Sequence, residues 1–234
     1  MQAVHKAWDS QFFGKEIYEL VLDDADTKNP AEILQAYPTV FWQSQTNIGD
    51  FKHINLLLQS GFTWASNSVK FAKTSLNALP KQNVLTKARM EDLEQIRLYL
   101  PGLYTDSRYR IRGFFTEADA DRFYDIWLQK AYSGDFDDEI LVLLMGDVAA
   151  GFVTLKYLNQ HAKIGLIGVN PAFTAKGIGT SILSSLEAHC QTMEISTISV
   201  QTQLANLPAI KLYAKMGYNI TEITSWFYKA EKMI

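Results

Sequence analysis

The sequence predicts an α/β (α+β) fold on three observations. Strand-like and helix-like runs alternate along most of the chain, three strand-like runs between 139 and 169 follow one another across short turns, and 47% of the 234 residues are hydrophobic against 20% charged. That is enough to bury a real core. The polar, proline-containing stretch 78–82 marks a boundary between a smaller N-terminal α/β accessory domain, 1–78, and a second domain, 82–234.

In the first domain 16–22 and 39–42 read as strands, 30–36 and 50–59 as helices, and 69–73 as a further strand. Asp50 is a fair N-cap for the second helix and Gly61 a fair stop after it. The second domain opens with a short strand at 84–86 and a helix near 91–99. From about 118 to 132 an amphipathic helix carries Phe123, Ile126, Trp127, Ala131 and Tyr132 at helical spacing. The runs 139–145, 149–157 and 163–169 read as strands, joined by a tight turn at Gly146-Asp147 and a looser one at 159–161. A helix at 177–191, a strand at 197–201, a helix at 207–215 and a pair of strands near 218–220 and 225–229 follow.

Composition excludes several classes. With 22 basic and 25 acidic side chains the formal net charge is −3 and no long run of one sign occurs, which disfavours a general nucleic-acid binder. No apolar stretch approaches the roughly 18–20 residues of a membrane span, so no membrane partner is expected, and the first nine residues lack the apolar core of a signal peptide. The single cysteine, Cys190, allows no intramolecular disulfide and points to a cytoplasmic location. His5, His53, His161 and His189 are scattered, and His189-Cys190 are helical neighbours facing different directions, so no metal ligand set is expected.

An internal repeat emerges at an offset of 156 residues. The stretch 51–62 lies over 207–218 without a gap: Ile54 meets Ile210, Leu56 meets Leu212 and Gly61 meets Gly217, and at the same offset Phe71 and Lys73 fall on Phe227 and Lys229. Either two helix-glycine-strand units look alike by default, or residues 1–75 are a decayed second copy of the C-terminal half.

The most informative stretch runs from Ile164 to Leu183: a strand, a glycine-bearing loop, then a helix. Unpaired N–H groups at such a helix start, with the helix dipole behind them, can hold a pyrophosphate without an arginine, and Gly177 and Gly179 let the backbone approach closely. A dinucleotide fingerprint fails because position 182 is Ile where a third Gly is needed, and no Gly-Lys-Ser/Thr follows at phosphate-loop spacing. The segment Thr174-Ala175-Lys176-Gly177-Ile178-Gly179 resembles the acetyl-CoA loop of the GCN5-related N-acetyltransferases, Gln/Arg-x-x-Gly-x-Gly/Ala, with Thr174 in place of the usual first residue. A second, independent segment, Asn206-Leu-Pro-Ala-Ile-Lys-Leu-Tyr213-Ala-Lys-Met-Gly-Tyr218, matches that family's Asn-x-x-Ala-x-x-x-Tyr-x-x-x-Gly-Phe/Tyr pattern.

The resemblance implies the family's fold, a mixed and mostly antiparallel sheet flanked by helices, with acetyl-CoA as co-substrate and no metal. It also implies roles. Thr174, Ala175, Lys176, Gly177, Ile178, Gly179 and Thr180 would clasp the diphosphate, Asn206 the pantetheine arm, and backbone groups of the preceding strand, Ile167, Gly168 and Val169, the pantetheine and the thioester oxygen. Tyr213 would sit beside the sulfur, where a phenol that stays protonated at neutral pH can give the leaving thiolate a proton. Leu57 occupies the equivalent position of the first copy, which therefore cannot perform that step. Trp8-Asp-Ser-Gln-Phe-Phe-Gly14, Asp106-Ser-Arg-Tyr109, Arg122-Phe-Tyr124 with Trp127, and Ser225-Trp-Phe-Tyr228 are similar to the branch of the family that acetylates the 4-amine of a TDP-linked 4-amino-4,6-dideoxysugar. Arg108, Tyr109, Arg122 and Trp127 are the candidates for holding such a nucleotide sugar, because guanidinium groups fork onto phosphate and aromatic planes stack on a base or sugar. Arg122 as a solvated helix residue and Trp127 as core are the competing readings. Asp137, Asp138, Glu139 and His161 are not ranked as bases by spacing. Another small amine or a protein N-terminus as acceptor, and a non-catalytic acyl-CoA-binding module, remain the rival functions. A homodimer is compatible with the resemblance.

Overall fold

The computed structural model describes residues 1–23, 30–76, 84–111 and 113–230, so the expected boundary at 78–82 lies outside the described residues. The elements are β1 (Gln2–His5), α1 (Ala7–Phe13), β2 (Ile17–Val21), α2 (Ala31–Ala36), β3 (Phe41–Asn47), α3 (Phe51–Gln59) and β4 (Thr63–Lys73) in the first part of the chain. They continue with β5 (Leu85–Lys87), α4 (Met90–Tyr99), α5 (Glu117–Ser133), β6 (Glu139–Met145), β7 (Val148–Leu158), β8 (His161–Val169), α6 (Ile178–Thr192), β9 (Thr197–Gln203), α7 (Leu207–Lys215) and β10 (Asn219–Lys229).

All strands join one mixed, mostly antiparallel sheet in the order β1-β2-β3-β10-β4-β9-β8-β7-β6-β5. The two parallel pairs are β2 with β3 and β8 with β9. Strand alternation sends side chains to two helical layers: Leu141 and Leu143 of β6 pack toward α6 and α7, while the alternate residues Ile140 and Val142 pack under α4 and α5. The same alternation puts Phe227 against α3 and its neighbour Tyr228 against α1 and α5. Thus α2, α3, α6 and α7 cover one face, and α1, α4 and α5 the other.

The 156-residue repeat governs the centre of this sheet. Strand β3, helix α3 and strand β4 have the bounds of β9, α7 and β10 shifted by that offset at all six ends. Pairing repeats as well: Ser68↔Gln203 through Lys73↔Ile198 between β4 and β9 become Thr224↔Asn47 through Lys229↔Trp42 between β10 and β3. Between β4 and β10 the register is symmetric about Ser68↔Thr224, whose hydroxyls lie 3.3 Å apart. Each copy has given its last strand to the other, so β10 lies beside β3 and β4 beside β9. The register breaks that flank this axis, at Ile220/Glu222 and Trp226/Phe227, are also mates.

Three expectations change. Strand β10 is continuous where two strands were expected, because its polar middle is a bulge at Thr221 rather than a turn. Strand β4 starts at Thr63, before the run at 69–73 that sequence marked, through residues that oppose β10. Neither β1 nor α1 was anticipated: the strand has four residues, and no side chain caps the helix.

Candidate active site

Helix starts differ in how their first N–H groups are satisfied. Asp50 caps α3, Thr116 caps α5 and Asn206 caps α7, each accepting from the backbone N–H three residues on. Helix α6 begins instead after Gly177, whose φ of +76° places it in the left-handed region, and no side chain caps it. In the loop before it Thr174 N–H donates to Pro171 O (3.2 Å) and Lys176 N–H to Phe173 O (3.4 Å), so these two of the seven amides expected to face a ligand are already engaged. Those of Ala175, Gly177, Ile178, Gly179 and Thr180 have no acceptor among the described residues. Ala175 holds φ +63°, a left-handed conformation that a residue with a Cβ rarely adopts and that turns this loop outward.

The strand leading to this loop leaves its neighbour. β8 pairs with β9 from His161↔Thr197 to Ile164↔Val200 and no further, although both strands continue. On its other edge β8 stays paired with β7 to Val169↔Gly151, with a register break between Val153 and Leu155. At that break Thr154 Oγ1 accepts the Leu166 N–H at 2.8 Å and donates to the buried Asp137 carboxylate at 2.5 Å, which also accepts the Trp127 indole N–H at 2.9 Å. Gly165 lies directly against that carboxylate, and a Cβ there would collide with it. The bulge therefore sits where β8 and β9 separate. Past it the Ile167 carbonyl accepts from Tyr104 Oη (3.3 Å) and the Asn170 N–H donates to Ala150 O across β7, so by alternation Gly168 faces β7 and Ile167 and Val169 face the opening.

Tyr213 lies on α7 and is buried at 2% exposure between Phe71 and Tyr218. Its hydroxyl has no hydrogen-bond partner among the described residues, and Tyr104 is near enough for the charge of Tyr213 to affect it. Burial pushes the Tyr213 phenol above its ordinary range, so it is a proton-bearing group at any physiological pH. Asn206, half-buried, spends its Oδ1 on the α7 cap, and its amide nitrogen remains as a donor. The Oε1 of Gln203, at the end of β9, is buried without a partner among the described residues. An opening with edge amides, five unpaired N–H groups at a helix start, and an orphaned acceptor fits an extended diphosphate-and-amide carrier such as acetyl-CoA.

On the α5 side of the sheet Arg108 is held in an aromatic cradle. Its guanidinium stacks on Trp226 (4.0 Å) and Tyr109 (4.2 Å) and donates to Tyr228 Oη, Tyr109 Oη (both 2.6 Å) and Gln43 Oε1 (3.2 Å). Asp9 of α1 is close enough for Arg108 to stabilise its charge, although burial dominates and raises its pKa. Arg110 fixes the loop by donating to Tyr104 O (2.9 Å), Pro101 O (3.1 Å) and the carboxylates of Glu117 and Asp121. Trp226 also donates to Ser68 Oγ (3.0 Å), linking the cradle to a polar well of about 180 Å³ on the sheet axis, lined by Gln45, Ser68, Lys70, Gln201, Glu222 and Thr224. Gln201 is the first β9 residue past the split.

Of the expected acceptor residues the structure brings Arg108 and Tyr109 together and leaves two out. Arg122 donates to Phe12 O (2.7 Å) and Asp119, stacks on Phe12 and staples α5 to α1. Trp127 packs between two core clusters with its N–H on Asp137. The unranked acids and His161 all have structural partners: Asp138 with Lys156 and Tyr157 N–H, Glu139 with His189 and Tyr157, and His161 with Ser199. Sequence reasoning missed Gln43, Trp226 and Tyr228 in the cradle, Tyr104 at the Ile167 carbonyl, and Thr154 and Gly165 at the bulge, and it left Asp137 unranked. Trp226 and Tyr228 lay in a segment singled out for similarity. The bulge residues lie in three separate elements and gave no local signal.

A sheet split with unpaired amides beside a buried phenol is an arrangement that an acyltransferase can use, and known acetyltransferases are similar to this chain. Residues 103–218 match the model of the acetyltransferase (GNAT) family. It is 26% identical over 230 residues to the dTDP-fucosamine acetyltransferase of Escherichia coli O6:H1, covering 95% of each chain. It is also 26% identical over 125 residues to the spore coat polysaccharide biosynthesis protein SpsD of Bacillus subtilis, covering 53% of this chain and 42% of that one. Among solved structures a GCN5-related N-acetyltransferase from Sphaerobacter thermophilus shares the fold with a TM-score of 0.60 and 15% identity, over 82% of this chain and 60% of that one. No helix among the described residues is long and apolar enough to cross a membrane, and no group of three or more His, Cys, Asp or Glu among them could hold a metal.

Proposed function

We propose that this acyltransferase moves acetyl from acetyl-CoA directly to the amine of a TDP-linked amino-dideoxysugar, in the cytoplasm. The observation that carries the reading is the full-length likeness to the dTDP-fucosamine acetyltransferase. The Arg108 cradle draws on α1, β3, β10 and the loop before α5 at once, so a relative alike only in the acetyltransferase core would not share it. The neutral acceptor amine attacks the thioester carbonyl that acetyl-CoA supplies, and the C–N bond forms as the C–S bond breaks. The proton lost by the amine passes through water, which restores the phenol after it protonates the leaving thiolate. The Ile167 and Val169 backbone edge and the amides of Ala175, Gly177, Ile178, Gly179 and Thr180 hold acetyl-CoA, and Tyr213 Oη gives a proton to the thiolate. Burial makes the phenol a weaker acid, so the transfer is uphill and Tyr213 assists rather than decides. Arg108 takes the acceptor's diphosphate, Trp226 offers a stacking plane, and the polar well takes the sugar hydroxyls. The test is thiol release from acetyl-CoA with TDP-4-amino-4,6-dideoxygalactose, other amino sugars and an N-terminal peptide. Release with the sugar nucleotide, and a raised KM for it alone in Arg108→Ala, is expected. Release only with the peptide overturns the acceptor, and coenzyme binding without release overturns the reaction.

A further inference from the structure

The internal repeat juxtaposes two lysines that do the same structural task in different surroundings. Lys73 Nζ donates to Met216 O at the end of α7, and its mate Lys229 donates to Ser60 O at the end of α3, both at 2.8 Å. Lys73 is also clasped by both oxygens of the buried Glu187 of α6, at 2.7 and 2.9 Å. The residue that stands to Lys229 as Glu187 stands to Lys73 is Ala31, one offset earlier on α2, whose last residue Ala36 is the mate of α6's last residue Thr192. Ala31 has no carboxylate, and none lies within ion-pair distance of Lys229 among the described residues. What the first copy has instead is a cavity of about 540 Å³, in the size range of small-molecule sites, lined by Ala31, Lys229 and the apolar walls of Leu34, Val40 and Trp42.

From this juxtaposition we infer that the cavity between α2 and β10 is a second ligand site, which takes a small organic carboxylate whose charge pairs with Lys229 where Glu187 pairs with Lys73. The lining also holds Gln35 and Gln59, so an ammonium and side-chain amides stand beside an apolar wall, a mix that suits a carboxylate with an apolar body. Trp42 and Leu34 fit an aromatic or aliphatic body on the acid. The site lies on the helical face of α2 and α3, opposite the Arg108 cradle, and does not depend on the proposed acetyl transfer.

The probe is 3-phenylpropionate, with the neutral 3-phenylpropionamide as control, titrated calorimetrically into the full chain. The acid is expected to bind at least tenfold more tightly than the amide, Lys229→Met to remove that difference and Lys229→Arg to keep it. Ala31→Glu supplies the missing carboxylate from within, so it should abolish binding and raise Tm while thiol release from acetyl-CoA persists. Equal binding of acid and amide, no binding of either, or undiminished acid binding in Ala31→Glu would each overturn the proposal.

Discussion

The two copies of the repeat share a backbone register and differ in what their side chains do with it. In the C-terminal copy β8 and β9 part at a built bulge, α6 starts uncapped, Tyr213 lies in α7 and a buried ion pair closes the far end. The N-terminal copy has Leu57 where Tyr213 stands, Asp50 where Asn206 stands, and a cavity in place of the ion pair. Fold and chemistry are separately written in this chain: offset-matched apolar positions and glycines keep the first, and a handful of polar substitutions keep or discard the second.

The sharpest way to break that contrast is to make one copy resemble the other. Glu187→Ala, which copies position 31, leaves Lys73 buried and unpaired and should cost about 3–5 kcal/mol in chemical denaturation, whereas Lys229→Met should cost under about 1 kcal/mol. Equal losses would mean that the lysines are not in different environments. Tyr213→Phe should lower kcat by about 10- to 1,000-fold with little change in acetyl-CoA affinity, and an unchanged kcat across pH would remove the phenol from the reaction. Asp137→Ala removes the one carboxylate oxygen that accepts from both Thr154 and Trp127 and leaves two buried donors unpaired. It should cost roughly 1–3 kcal/mol and raise KM for acetyl-CoA several-fold, more than it lowers kcat. A kcat loss at constant KM would show that the bulge does not shape the carrier site.

The smallest effect is a pH dependence confined to one cap. Burial would raise the Asp50 pKa, but the His53 N–H and ring, with Thr46, hold it below the ordinary value of 3.8. The folded form therefore binds this proton less readily than the unfolded chain. Its contribution is present above the unfolded pKa and is lost as pH falls through the depressed folded value. Asp50→Asn, which copies Asn206, should leave Tm within a few degrees at pH 7 and flatten its decline below about pH 4. Parallel acid profiles for the two proteins would show that Asp50 contributes nothing through its charge.

Much of this was legible in the sequence because it is local. The α3 bounds followed from Asp50 and Gly61, and the repeat from the one offset that lays 51–62 over 207–218. The left-handed Gly177 and the start of α6 were readable because glycine placement and a helix start fall within six residues. What was not legible is what the sheet assembles across distance. Arg108 meets Gln43 and Tyr228, which lie 65 and 120 residues away, and Trp127 leaves the acceptor group because Asp137 offers its indole a buried acceptor. The bulge at Thr221 was read as an end because polar residues in a strand signal a turn unless a partner strand, here β4, holds both sides.

The exchange of β4 and β10 also bears on inheritance. A gene that holds a working copy and a silent one is ordinarily free to shed the silent one, yet here deletion of the first 76 codons would strip β9 and β10 of the neighbours that complete their ladders. The first copy is thus held in place by its strands, while its loops and hollows are open to mutation toward uses of their own.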